Sequence, residues 1–158
     1  MKYILNDERG CDHRPYWKYL DSVRHLMSKS IYEFASDTNN HDLIHPNSLH
    51  DAWLESCNVM EATSPTLQKR RPVNVELRLL GSRHDRKIIL RYGNVSCYQF
   101  FGPGKSTAVT IGGHGDLVVH EILILHDQTY SHECVFSSGS TFSVEFENFG
   151  HEVQLLAD

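Results

Sequence analysis

The sequence predicts an α+β fold, with one N-terminal amphipathic helix packed on a largely antiparallel β-meander of about six to eight strands. Apolar residues recur at helical spacing between positions 15 and 36, and from Trp53 onward the period falls to two. The short strands then follow one another with tight turns between them, a pattern that antiparallel pairing allows and parallel crossovers do not. The 158 residues suit a single domain, divided into a helical extension over 1–47 and a meander over 48–158.

The helix is PYWKYLDSVRHLMSKSIYEFAS, residues 15–36. Pro15 fits a first helical position, where its missing N–H costs nothing. Tyr16, Leu20, Val23, Met27, Ile31 and Phe34 form one apolar stripe, of the kind that covers a sheet face. The polar run SDTNNHD ends it. In SLHDAWLES, Ser48, His50 and Asp51 are expected to form the turn that launches the first strand, with Ser48 or Asp51 accepting a free backbone N–H. Trp53 then lies at the sheet's rim or enters the core.

Residues 61–71 form a polar loop, and Val73, Val75, Leu77 and Leu79 alternate with polar neighbours as a half-buried strand. KIILRY follows a turn, and VSCYQF is expected to continue that strand past a bulge at Gly93-Asn94. Residues 102–115 hold five glycines and read as a loop. LVVHEILILH, 117–126, is a long strand. SHECVF and TFSVEF form a hairpin whose apolar faces coincide if Phe136 pairs with Ser140 and Cys134 with Phe142. That register needs a three-residue loop with Gly139 at its left-handed position. Residues 149–156 give a last short strand.

Eleven histidines invite a metal or catalytic site, and the sharpest set is His114, His120, His126 and His132. Six residues along a strand span about 20 Å, so His120 and His126 cannot share a zinc with bonds of about 2 Å. Adjacent residues in a strand point to opposite faces, which argues against a His50–Asp51 dyad. His84-Asp85 falls in a turn, where Asp85 accepts backbone N–H bonds. GPGKS lacks both the spacing and the strand–loop–helix context of a phosphate loop. Lys69-Arg70-Arg71 reads as a solvated loop. No catalytic residue, metal or cofactor is expected. The four cysteines form no CxxC pair; free thiols are expected, with Cys57, Cys97 and Cys134 as small buried hydrophobes. No secretory segment and no run of about 20 apolar residues appears, so a cytoplasmic protein with no membrane partner is expected.

Charge is the most informative feature. All fifteen Lys and Arg lie within residues 1–105 beside twelve acids, whereas residues 106–158 carry eight acids and no base. The last third therefore holds −8 of a net −5. Such a field repels nucleic-acid phosphates and attracts a basic partner. The candidate partner-binding residues are Asp116, Glu121, Asp127, Glu133, Glu145 and Glu147; the plain alternative is an acidic surface kept for solubility.

The order "SLHDAWLES", "VELRLL", "IILRYGNVSCYQF", "GDLVVHEILI", "HECVFSSGSTFSVEFENF" resembles a group of small bacterial β-rich proteins with an (L/F)HDxxh opening motif. Some of these resemble immunity proteins of polymorphic or contact-dependent toxin systems. The resemblance spans about residues 48–150 and carries over no catalytic residue. It implies a non-enzymatic protein that blocks a cognate protein toxin, itself a monomer or weak homodimer. The alternatives are a histidine-containing metal- or ligand-binding module, and an interaction domain that dimerises through a strand edge.

Overall fold

The computed structural model describes residues 1–7, 10–62, 71–103 and 112–157. Strands β1 (Leu5–Asp7) and β2 (Gly10–Asp12) form a short hairpin before the helices. The expected single helix is two: α1 (Arg14–Val23) and α2 (Lys29–Ser36), separated by a 3₁₀ turn at Arg24–Leu26. Met27 and Ser28 between them are extended. This break lets the Ser28 N–H donate to the Tyr130 hydroxyl at 2.9 Å. The apolar stripe survives the break, because Tyr16, Leu20, Met27, Ile31 and Phe34 all enter the core. A tertiary contact, invisible in local propensity, decides where the helix stops.

The remaining strands are β3 (Trp53–Glu61), β4 (Val73–Leu80), β5 (Arg86–Gly93), β6 (Cys97–Phe101), β7 (Leu117–His126), β8 (Thr129–Phe136), β9 (Thr141–Phe146) and β10 (Asn148–Leu155). They do not make one meander. They form two four-stranded sheets, ordered β10-β5-β4-β3 and β6-β9-β8-β7, with every pairing antiparallel. Inward faces carry Val75, Leu77, Leu79, Ile88, Leu90 and Tyr92 from the first sheet, and Tyr130, Cys134, Phe136, Phe142, Val144 and Phe146 from the second.

VSCYQF leaves the first sheet and joins the second, rather than continuing in place. Its partner does the same in reverse. Gly93 pairs with Asn148 in one sheet and Cys97 with Glu145 in the other, so four steps on one strand face three on its partner. The bulge expected at Gly93-Asn94 is therefore a corner at which a two-stranded ribbon passes from sheet to sheet. The bonds Ser96 N–H to Glu145 C=O and Glu147 N–H to Gly93 C=O hold it, at 3.0 and 3.2 Å. Asn94 takes a left-handed φ of 52° to turn the chain.

The helices pack against the edge strands β7 and β10. On β7, Tyr16 Oη accepts the Ile122 N–H at 2.8 Å and donates to the Ile122 C=O at 3.1 Å. Tyr19 Oη accepts the Ile124 N–H at 2.8 Å. On β10, Phe34 packs against Phe149 and His151, with ring centroids 4.8 and 4.9 Å apart. The β7 edge, which would otherwise present bare backbone there, is thus occupied.

The hairpin β8–β9 has the expected register: Cys134 opposes Phe142, the Phe136 N–H donates to the Ser140 C=O at 2.9 Å, and Gly139 has φ 81°. Ser48 Oγ accepts the His50 N–H at 3.0 Å, as expected of the turn before β3. Trp53 is half exposed at the rim, and its indole N–H donates to Asp116 at 2.6 Å. A bulge between Leu54 and Ser56 breaks the strict alternation of β3. Cys134 is buried and Cys57 and Cys97 are partly so; all are free thiols. Of Lys69-Arg70-Arg71 only Arg71 lies among the described residues, 3.6 Å from Glu61. Most of the glycine loop lies outside them.

Candidate functional site: an acidic groove beside a buried imidazole chain

The six candidate acids do not form one surface. Glu121 is 1% exposed. Its carboxylate accepts the backbone N–H groups of Lys2, Tyr3 and Ile4, the last two at 3.0 and 3.1 Å. Directly across the ladder, Glu133 meets the Met1 ammonium at 2.7 Å. Two like charges opposed on one face repel; here the N-terminal segment compensates both. Asp116 is engaged by Trp53, and Ser96 Oγ donates to Glu145 at 3.4 Å on the outer face of the second sheet. Glu121 therefore belongs to the interior, a correction to the expected set.

Asp127 and Glu147 do meet, in one open groove of about 900 Å³ at an end of the two sheets. The 3₁₀ turn supplies His25 and Leu26, the end of β7 supplies Ile124, Leu125 and His126, and the β7–β8 turn supplies Asp127 and Gln128. The two ribbon corners supply Asn94, Glu147 and Asn148. Asn94 Nδ2 donates to Glu147 Oε2 at 2.9 Å, which fixes the carboxylate's orientation. Leu26 and Leu125 are 52% and 44% exposed, and among the described residues no Lys or Arg lines the groove. The groove joins apolar contact area to uncompensated negative charge, a combination suited to a basic and partly apolar ligand.

The histidines separate by environment. His126 is exposed in the groove, and His114 Nδ1 hydrogen-bonds Ser140 Oγ at 2.9 Å. His50 Nδ1 does approach Asp51 Oδ1, at 2.9 Å, because Asp51 has a left-handed φ of 63° and the pair sits in a turn, not a strand. That contact lacks hydrogen-bond geometry. His84, with φ 56°, packs against Trp53 at 4.3 Å, and Asp85 pairs with Arg86 at 2.7 Å.

His120 and His132 meet, through the β7–β8 pairing rather than along one strand. His120 opposes Cys134 and His132 opposes Ile122, so both imidazoles point inward and are buried. The tautomers follow from one fixed group. The Asn40 carbonyl can only accept, so His120 Nε2–H donates to it at 3.4 Å. His120 Nδ1 is then a lone pair that accepts His132 Nε2–H at 3.1 Å. His132 Nδ1 in turn accepts the Tyr92 O–H at 2.8 Å. Each ring in this chain is neutral. His41 stacks on His120 at 4.2 Å with planes 9° apart, and its Nε2 is buried without a partner. Burial, then the neighbouring imidazoles, hold His120 well below the usual histidine range, His132 down to about 3 and His41 down to about 2. Burial also pushes the Tyr92 hydroxyl and the Cys134 thiol up.

Among the described residues, no three His, Cys, Asp or Glu side chains have the geometry of a metal centre. None of the described helices is long and apolar enough to cross a membrane. The chain matches no family model, no curated protein and no solved structure.

Proposed function

We propose that this protein is a binding module that engages a basic protein partner through the groove between Asp127 and Glu147, and that the partner is a cognate bacterial toxin which it neutralises by covering. The observation that carries this reading is the groove itself: two carboxylates, two exposed leucines and, among the described residues, no lining Lys or Arg. The −8 charge of residues 106–158 supports it, because a field of one sign speeds encounter with a basic surface. The sequence resemblance to immunity proteins points the same way. Asp127 and Glu147 give electrostatic steering, and Leu26 and Leu125 give the apolar contact that slows dissociation.

The test is co-expression with the product of the adjacent gene, followed by binding measured across a salt series. Protection from that product's toxicity and salt-sensitive binding are expected. Asp127→Lys with Glu147→Lys should weaken binding at least tenfold and abolish protection, since two attractions become repulsions. Unchanged affinity in that double variant, or a neighbouring product without toxicity, refutes the reading.

A further inference from the structure

We propose that the imidazole chain is an acid-sensitive latch, which holds the helical segment 13–41 against the sheets at neutral pH and releases it as a unit when the pH falls to about 5. The chain crosses the boundary between that segment and the sandwich. His41 and the Asn40 carbonyl belong to the helical side, His120 and His132 to β7 and β8, and Tyr92 to β5. Asn40 is the hinge pin: its carbonyl also accepts the Leu49 N–H at 3.1 Å and Ser48 Oγ–H at 3.2 Å, and its Nδ2 donates to the Phe34 C=O at 2.8 Å.

No position in the chain can take a proton without a loss. A proton on His120 Nδ1 would face the N–H of His132 Nε2 across 3.1 Å. A proton on His132 Nδ1 would turn away the Tyr92 O–H. His41 Nε2 would become a buried N–H⁺ with no acceptor, stacked on a second imidazole. Among the described residues no carboxylate is placed to compensate. From the N-cap of α1 the facing group is His13, which lies edge-on to His41 at 5.1 Å, and α1 itself adds the Tyr16 hydroxyl. The turn before β3 adds His50, whose Asp51 neighbour is solvent-exposed. From β10 comes His151, whose nearby charge is Asp37 at the surface; β8 and β3 add the Cys134 and Cys57 thiols. Glu121 lies on the opposite face of β7 with its carboxylate already occupied. Protons therefore enter only when the segment opens, and the freed imidazoles then hold it open.

Between pH 7 and pH 5, each imidazole freed to its ordinary pKa multiplies the opening constant by about 25. His41 and His120 together give about 600-fold. The latch also controls a wall of the groove, because His25 and Leu26 lie within the released segment. If the groove holds a basic partner as proposed above, the same event frees that partner; the experiment below tests the latch without it.

The experiment is native-state amide hydrogen exchange of the full chain at pH 7 and pH 5, corrected for intrinsic rates. Opening of α1 and α2 should rise several-hundred-fold, and at pH 5 both helices should exchange together from a state in which β4, β5, β8 and β9 are still protected. His41→Gln should cut the response to about 25-fold. Helices and strands with the same remaining protection at pH 5 mean simple global acid unfolding and overturn the proposal. So does helical protection that is the same at both pH values, in a measurement on the wild-type chain that needs no variant to fold.

Discussion

Replacing Tyr16 with Phe removes one oxygen and no carbon packing, which isolates the sealing of the β7 edge. The hydroxyl is buried, with Tyr16 0% exposed and Ile122 0% exposed. It bonds the Ile122 N–H at 2.8 Å and the Ile122 C=O at 3.1 Å. Without it, a buried donor and a buried acceptor both lose their partner, at about 1–3 kcal/mol each. The expected destabilisation is about 3 kcal/mol, a large part of the roughly 5–15 kcal/mol typical of a domain. For a chain of this size that corresponds to a fall in Tm of about 6–12 °C. Tyr19→Phe is the internal control, because it loses one bond, to the Ile124 N–H, at a half-buried site. It should cost about 1 kcal/mol. Urea unfolding measures both, with m unchanged if only native-state bonds are lost. A Tyr16→Phe cost below about 1 kcal/mol, or one no larger than that of Tyr19→Phe, would show that the edge is not sealed by this hydroxyl.

Two further outcomes are expected. Gly139→Ala should cost only about 1 kcal/mol by urea unfolding, because φ is 81° yet an added Cβ meets nothing within 4 Å; a cost above about 3 kcal/mol would mean that the loop is crowded. Global stability should fall with acid earlier than carboxylate titration allows. His41, His120 and His132 have folded pKa values below the unfolded value, so the unfolded chain binds more protons and stability is lost as pH drops from about 6.5 toward 3. Each contributes about 2 kcal/mol between pH 7 and pH 5, and stability unchanged over that range would contradict the neutral chain.

What was legible in the sequence was what depends on local pattern. The alternation through Val75, Leu77 and Leu79 and the faces of Cys134 and Phe142 fixed β4 and the β8–β9 register to the residue. What was not legible depends on distant partners. The helix breaks at Met27 because a Tyr130 hydroxyl waits for the Ser28 N–H. Strand β6 changes sheet because β10 does so beside it. The histidine chain is hidden for a narrower reason. Spacing along one strand keeps His120 and His126 apart, whereas pairing across the two-residue Asp127-Gln128 turn carries His132 to the inward face beside His120. The groove had a partial signal in the acidity of Asp127 and Glu147, but Leu26 and Asn94 reach it from elements far away in sequence.

The ribbon that bends between the sheets also orders events during synthesis. Neither sheet is complete until β9 and β10 have been made, because β6 pairs with β9 and β10 closes onto β5. About forty residues separate the end of β6 at Phe101 from the start of β9 at Thr141. At about 5–20 residues per second, the ribosome takes some 2–8 seconds to cross that gap. For that interval the nascent chain carries β6 without its partner and β5 with one open ladder, and the apolar faces of Ile88, Leu90 and Tyr92 wait for the chain's own C-terminal third to cover them.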